Sequence, residues 1–122
     1  KALIPSWFED KIEVLQVKDR LKFRDNIFGY DLFNDGSLIL TELEGHTHGH
    51  LGAYIPGKLM LAGDACWGED LMESSKKMRR LIQHVNNDYK AFKDSLDLLA
   101  ALEEKGIELY FSHDQYSKKD LL

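Results

Sequence analysis

The sequence predicts an α/β fold in which antiparallel strands come first, two helices follow and a buried strand comes last. Three observations lead to this order. Short apolar runs between residues 27 and 62 are separated by Asp-Gly and Pro-Gly, which are typical of turns. Apolar residues then recur at spacings of three and four over residues 78–102, the pattern of amphipathic helices. A further apolar run, 107–111, follows a glycine placed as at the end of a helix.

The composition is that of an ordinary globular domain, or of part of one. The 122 residues are 43% apolar and 30% charged, with a net charge of −5. No basic patch is visible, because Lys76, Lys77, Arg79 and Arg80 follow a helical pattern and are interpreted as a solvated face. We therefore expect no nucleic-acid partner.

No membrane segment is expected either. No apolar run reaches the ~18 residues that crossing a bilayer requires, and no signal peptide is visible. Cys66 is the only cysteine, so no intrachain disulfide can form. This fits a reducing compartment, and we expect the cytoplasm.

Residues 1–26 form a lead-in with weak signals. A helix over residues 6–15 is compatible with a serine cap and an apolar stripe. A strand at 14–17 is an equally good interpretation. Asp25-Asn26 is a turn signal.

Residues 27–66 are predicted to contain strands and a histidine-rich loop. Asn34-Asp35-Gly36 is the clearest hairpin turn, since Asp-Gly suits the positive φ angles of a tight turn. Pro56-Gly57 marks a second turn. The predicted strands are 27–33, 37–43, 51–55 and 58–62.

Residues 74–105 are predicted to form two helices. Ser74 or Ser75 caps the first, which runs to about residue 85, and the second covers 88–105. One buried stripe is expected on the second helix: Tyr89, Phe92, Leu96, Leu99 and Leu102. Gly106 ends this helix, the final strand occupies 107–111, and 115–122 are expected to be a short helix or a frayed tail.

Candidate ligands lie beside these strands. Three of the five histidines fall within one short loop: Gly45, His46, Thr47, His48, Gly49 and His50. One apolar run ends in Gly63-Asp64 and the last ends in Ser112-His113-Asp114. Strand ends are where α/β folds place their chemistry. Histidines and carboxylates are ligands of zinc and similar ions.

These three features together resemble the C-terminal half of a metallo-β-lactamase-fold hydrolase. That superfamily carries a Gly-His-Thr-x-Gly-His element, then a strand ending in Gly-Asp, and lastly a strand ending in His. The resemblance covers residues 28–114 and implies an αββα sandwich of which residues 1–122 are the C-terminal part. The superfamily's His-x-His-x-Asp-His motif is not present, so we expect it in an N-terminal half before Lys1. That half is an expected partner.

The resemblance also implies a role for each candidate. The implied metal ligands are His46, Asp64 and His113, with Asp64 bridging two ions and serving catalysis. His50 and Thr47 are implied to support the loop behind the ligands. Trp67 is assigned to the substrate pocket, and His48 is expected to line the cleft or to be exposed.

Each residue also has a structural interpretation. His46 can be a loop histidine bonded to backbone, Asp64 can cap a helix or a turn, and His113 can be merely polar. His84 is most simply a surface histidine. Cys66 has no base at a recognisable spacing, so we interpret it as a buried apolar residue and not as a nucleophile.

The implied cofactor is a pair of divalent ions. Zinc suits the ligands best, while manganese, iron or cobalt can occupy the same set. Such a pair lowers the pKa of a water to about 7, and the hydroxide attacks an ester, lactone, thioester or similar small molecule. The closest likeness is to quorum-quenching lactonases, through residues 63–67 and 109–114. Where these carry a tyrosine near the metals this chain has Trp67, and an indole cannot act as a phenol.

Two expectations concern the chain by itself. It holds only part of the metal site, so we expect it to be inactive alone and to self-associate through bare sheet surface. The alternative is a non-catalytic association module built on the half-fold, in which the histidines are structural.

Overall fold

In a computed structural model of the protein, residues 11, 13, 19–66, 68, 72 and 88–114 are described. Six strands lie within these residues: β1 Leu21–Lys22, β2 Phe28–Asp31, β3 Ile39–Glu42, β4 Leu51–Ile55, β5 Leu59–Gly63 and β6 Glu108–Phe111. A 3₁₀ turn covers Arg24–Asn26 and a helix, α1, covers Tyr89–Glu104.

The strands form one sheet whose spatial order follows the chain, β1-β2-β3-β4-β5-β6. The first five strands pair antiparallel with their neighbours, and β6 pairs parallel with β5. A parallel pair needs a long crossover connection, and α1 lies in it. The predicted order of strands, helix and final strand is therefore confirmed at the level of a mixed α/β fold.

Several predicted elements lie outside the described residues. These are the strand at 14–17, the helix at 74–85, the tail at 115–122 and all of the helix at 6–15 except Lys11 and Glu13, which have turn and irregular backbone. The described strands belong to a single sheet. The αββα sandwich therefore stays a prediction.

The first hairpin is confirmed, but its loop is longer than the tight turn that Asp-Gly predicts. β2 ends at Asp31 instead of residue 33, because the Asp31 carboxylate accepts the Gly36 N–H at 2.7 Å. The Asp35 carboxylate accepts the Ser37 N–H at 2.9 Å. The positive φ angles fall on Asn34 and Gly36. The Leu32 N–H still donates to the Leu38 carbonyl at 3.0 Å, and beyond this bond the side chains of two aspartates hold the loop.

The second hairpin agrees more closely with the sequence. β4 has the predicted bounds, and the Lys58 N–H donates to the Ile55 carbonyl at 3.0 Å. Gly57 has a φ of 73°, as the third position of a Pro-Gly turn requires. β5 begins at Leu59 and extends one residue beyond the predicted end, to Gly63.

Helix α1 has the predicted end, and it begins at a cap that was not predicted. The Asp88 carboxylate accepts the Ala91 N–H at 3.0 Å. Gly106, with a φ of 79°, donates to Glu103 at 2.8 Å, and Ile107 donates to Leu102 at 3.1 Å. These two bonds form a Schellman motif. The helix buries Phe92, Ser95, Leu96, Leu99 and Leu102, so Ser95 joins the predicted stripe and Tyr89 is only partly buried.

The core lies between α1 and one face of the sheet. Inner-facing strand residues share one buried cluster with the helix, and a single cross-strand row contributes Ile39, Tyr54, Met60 and Leu109. The opposite, outer face carries the row Tyr30, Leu40, Ala53, Leu61 and Tyr110. The described helix is not long and apolar enough to cross a membrane.

Polar side-chain contacts link the 3₁₀ turn to the Pro56-Gly57 turn and to the end of α1. The buried Tyr54 hydroxyl donates to the Asp25 carboxylate and accepts the Gly57 N–H at 3.1 Å. Arg24 Nε lies 3.3 Å and Lys105 Nζ 3.5 Å from carboxylate oxygens of Asp25. The hydrogen bond from Tyr54 lowers the pKa of Asp25, and the nearby cations Lys105 and Arg24 lower it further. Burial raises the pKa of Tyr54, and its hydrogen bond to Asp25 raises it further.

Candidate metal centre

The base of the histidine loop closes on itself between β3 and β4. The Leu43 N–H donates to the His50 carbonyl at 2.9 Å, and the His50 N–H donates to the Thr47 carbonyl at 3.4 Å. The Glu44 carboxylate accepts the Gly49 N–H at 3.3 Å. These bonds give the loop a fixed base although it belongs to no regular element.

The tip of the loop is open to solvent. His46 is half-buried, while Thr47 and His48 are exposed. The position of His48 matches the exposed alternative expected from the sequence. Thr47 takes part in the loop through its backbone carbonyl.

A β-bulge aims the end of β5. The pairing of β5 with β6 shifts between Leu61 and Gly63, and Gly63 has a φ of 57°. Bulges bend a strand and redirect the side chains that follow, and they occur often beside functional sites. Here the residue that follows is Asp64.

The same end of β6 brings His113 beside Asp64. The Ser112 N–H donates to the Gly63 carbonyl at 3.0 Å, which carries the contact between the two strands past their paired region. His113 Nε2 then lies 3.3 Å from Asp64 Oδ1, with the side chains 62% and 42% exposed. Two of the three predicted ligands are therefore neighbours at the carboxyl ends of parallel strands.

His50 anchors Asp64 from behind. Its Nε2 accepts the Asp64 backbone N–H at 3.2 Å, and its Nδ1 lies 3.0 Å from the Leu43 carbonyl. A backbone N–H can only donate and a carbonyl can only accept, so in these two bonds Nε2 is the acceptor and Nδ1 the donor. Both ring nitrogens are engaged with backbone, as in a residue that supports the site. A Cβ on Gly63 would lie 3.0 Å from this Nε2, so glycine allows the close approach.

His46 lies beside His50. The two rings meet edge to face, with centroids 6.4 Å apart and an interplanar angle of 83°. The contacts therefore run from His46 to His50, from His50 to Asp64, and from Asp64 to His113. No group of three His, Cys, Asp or Glu side chains converges on one point within the part of the chain that the structure describes.

The remaining residues considered from the sequence are Trp67, His84 and Cys66. Trp67 and His84 lie outside the described residues. Cys66 is buried, as expected, and its Sγ donates to the Gly68 carbonyl at 3.4 Å. Gly68 lies against Asp114, since a Cβ there would overlap the Asp114 carboxylate.

Sequence reasoning missed the part of α1 that contacts the loop. Ser95 is only 7% exposed, and its hydroxyl donates to the Glu44 carbonyl at 2.7 Å. A polar residue inside an otherwise apolar helical stripe was the available signal, because a buried hydroxyl needs a partner. The sequence alone does not say which partner, as Glu44 is 51 residues away.

No protein-family model, no curated protein and no solved structure matches the chain.

The donor set suits a divalent metal ion. Two ligand atoms bonded to zinc at ~2.0–2.1 Å with tetrahedral angles stand about 3.3–3.4 Å apart. The Asp64–His113 separation of 3.3 Å is of this size. It is also longer than the ~2.7–2.9 Å of a charge-assisted hydrogen bond. An imidazole nitrogen and a carboxylate oxygen are ordinary zinc ligands, so the pair fits such an ion.

Proposed function

We propose that the chain supplies part of the metal site of a metal-dependent hydrolase, with Asp64 and His113 as neighbouring ligands. The observation that carries the proposal is the 3.3 Å separation of Asp64 Oδ1 and His113 Nε2. The bulge before Asp64 and the histidine behind it support this, because both hold the carboxylate in place. The likeness to metallo-β-lactamase-fold hydrolases adds His46 as the third ligand.

The chemistry assigned to the ion is activation of a water. A bound divalent ion, zinc by preference, or a pair of such ions, lowers the pKa of a coordinated water to about 7 and polarises a carbonyl. The residues of this chain orient that chemistry. Asp64 provides negative charge, His113 provides a neutral nitrogen donor, and His50 fixes the backbone from which Asp64 projects.

The substrate class follows from the likeness and not from the geometry. We assign an ester, lactone, thioester or similar small molecule, with Trp67 and His48 towards the pocket. The remaining ligands are assigned to a preceding half of the same fold. Alone, the chain is assigned weak metal binding without hydrolysis.

Titration of the purified chain with Co²⁺, followed by visible absorption and calorimetry, tests the metal site. Cobalt accepts the same donors as zinc and reports its coordination by colour. Asp64→Ala and His113→Ala should each weaken binding at least about tenfold, since each removes one donor. His48→Ala is the matched control, because it removes an exposed histidine from the loop tip. Equal affinity in the control and both ligand variants would contradict the proposal.

A second candidate function is association through the outer face of the sheet. Leu51 and Leu61 on that face are 46% and 47% exposed, and Phe28 is 43% exposed. Exposed apolar residues grouped on one face of a sheet mark interaction sites. A chain that binds no metal but self-associates would favour this function over the hydrolase.

A further inference from the structure

We propose that Ser95 on α1 is a positioning residue for the histidine loop. Through the loop base, it holds His46 where this side chain serves as a ligand. The inference rests on the proposed metal function for the role of His46. It stands on contacts of its own for the role of Ser95.

The first contact is a buried hydrogen bond between helix and loop. The Ser95 hydroxyl donates to the Glu44 carbonyl at 2.7 Å, and Ser95 is 7% exposed. Glu44 precedes Gly45-His46 directly, so the bond acts two residues before the candidate ligand. Ser95 lies between Phe92 and Leu96 in the buried stripe, so its hydroxyl is shielded from water and needs a protein partner.

The second contact is a close approach of backbones. Gly45 has a φ of 126°, and a Cβ on it would overlap the backbone of Phe92. The Asp88 N–H, at the start of the helix, donates to the Gly45 carbonyl at 3.3 Å. Only glycine permits this approach and this backbone angle. The first two turns of α1 thus form the surface on which the loop base rests.

These contacts divide the loop into a fixed base and an open tip. Glu44 is held by two hydrogen bonds: its carbonyl accepts the Ser95 hydroxyl, and its carboxylate accepts the Gly49 N–H. The tip, residues 46–48, projects beyond them with half-buried or exposed side chains. The direction of His46 therefore depends on the base, and the base depends on α1. Ligand orientation by groups one step removed is a general property of metal sites.

Ser95→Ala tests the proposal in the 122-residue chain. It removes the hydroxyl without adding volume. Ser95→Thr keeps a hydroxyl at the same position. Ala101→Gly is the control for stability alone, because it weakens the same helix at an exposed position away from the loop. Two readouts are needed: Co²⁺ affinity well below the unfolding temperature, and hydrogen exchange of the Gly49 and His50 amides, which bond within the loop.

Ser95→Ala should weaken Co²⁺ binding about tenfold, within the range seen for groups that support ligands. It should also speed exchange of the two loop amides about tenfold relative to amides of β4 and β5. Ser95→Thr should stay near the original protein in both readouts. Ala101→Gly should change neither the Co²⁺ affinity nor the exchange of the loop amides relative to those of β4 and β5.

The outcomes separate this inference from the metal function. If Ser95→Ala matches Ala101→Gly in affinity and in relative loop exchange, Ser95 does not position the loop and the inference is overturned. If the unaltered chain takes up no Co²⁺, the proposed metal site is overturned. The relative exchange of the loop amides then tests Ser95 by itself. Faster exchange in Ser95→Ala would support the role of Ser95 in holding the loop, and unchanged exchange would exclude it.

Discussion

Met60 and Leu61 are neighbours on β5 and face opposite sides of the same sheet. Met60 is fully buried in the cluster beneath α1, whereas Leu61 is 47% exposed. Both faces are mainly apolar, although the outer face also carries Glu42 opposite Leu51 and Glu108 opposite Leu59. A sheet with one solvated face normally alternates apolar and polar residues, and a strand buried on both faces reads as a continuous apolar run. The outer face thus has the composition of a covered surface.

The cross-strand pairing makes this comparison concrete. The row through Met60 contains Ile39, Tyr54 and Leu109, all buried. The row through Leu61 crosses the same strands and β2, with two tyrosines, two leucines and one alanine: Tyr30, Leu40, Ala53, Leu61 and Tyr110. The row through Met60 continues on β2 into Asp31, whereas the row through Leu61 contains no charged residue. The central rows of the two faces are thus both mainly apolar, and they differ in what covers them.

The largest expected effect is on the inner face. Met60→Ala should lower the free energy of unfolding by about 2–5 kcal/mol, because it removes transfer free energy and leaves a cavity under the helix. Leu61→Ala is the matched control on the same strand and should cost less than about 1 kcal/mol, since Leu61 is already about half exposed. Urea denaturation measures both. Equal losses would show that the outer face is buried as deeply as the inner one.

A smaller effect is expected at the hydrogen bond between Tyr54 and Asp25. Tyr54→Phe removes the hydrogen bond to the ionised Asp25 and should cost about 1.5–3 kcal/mol at pH 7. Because the Tyr54 bond lowers the pKa of Asp25 in the folded state, its stabilisation is present above the unfolded pKa of Asp, ~3.9. It is lost as pH falls through the lower, folded pKa.

The pH dependence checks this assignment. The difference in stability between Tyr54→Phe and the unaltered protein should be constant from pH 7 to about pH 5 and should narrow below about pH 4. Asp35→Asn provides a comparison, because Asp35 is exposed and its pKa is lowered by bonds from the adjacent Ser37. Its variant should leave the free energy of unfolding nearly unchanged. A Tyr54→Phe difference that persists unchanged to pH 3 would show that ionised Asp25 does not contribute.

The sequence predicted the elements with strong local signals. The stripe from Phe92 to Leu102 and Gly106 together specify α1, and its bounds agree closely with those expected, although the Asp88 cap was not predicted. The Pro-Gly turn did the same for β4 and β5. β2 was predicted too long, because the Asp31 side chain bonds Gly36 and ends the strand, which periodicity does not reveal.

The site was predicted less completely because its contacts are distant in sequence. His50 meets Asp64 across 14 residues and Ser95 meets Glu44 across 51. The first contact depends on the bulge at Gly63, and the second depends on the packing of the loop against α1. Residue spacing in the sequence predicts neither feature. The sequence identified Asp64 and His113 as candidates, and the structure places them 3.3 Å apart. Their metal role stays a prediction.

A small effect on stability should accompany the largest effect on association. Leu61→Asp should change the free energy of unfolding by less than about 1 kcal/mol, because the side chain is about half exposed. If the outer face is a contact surface between copies, the charge should abolish self-association, since a buried unpaired carboxylate is strongly unfavourable. Phe33→Asp is the control: Phe33 is 62% exposed, but it lies in the hairpin loop and not on the sheet face.

Sedimentation velocity over a hundredfold range of concentration distinguishes the variants. Five strands spaced ~4.8 Å apart span about 20 Å of the face, and two such faces stack ~10 Å apart. The unaltered chain and Phe33→Asp should therefore sediment faster as concentration rises, and Leu61→Asp should remain a monomer throughout. A monomeric unaltered chain at every concentration would mean that copies of this chain do not cover the face. In that case its apolar rows would have to be accounted for by a different partner surface, and the self-association prediction would be wrong.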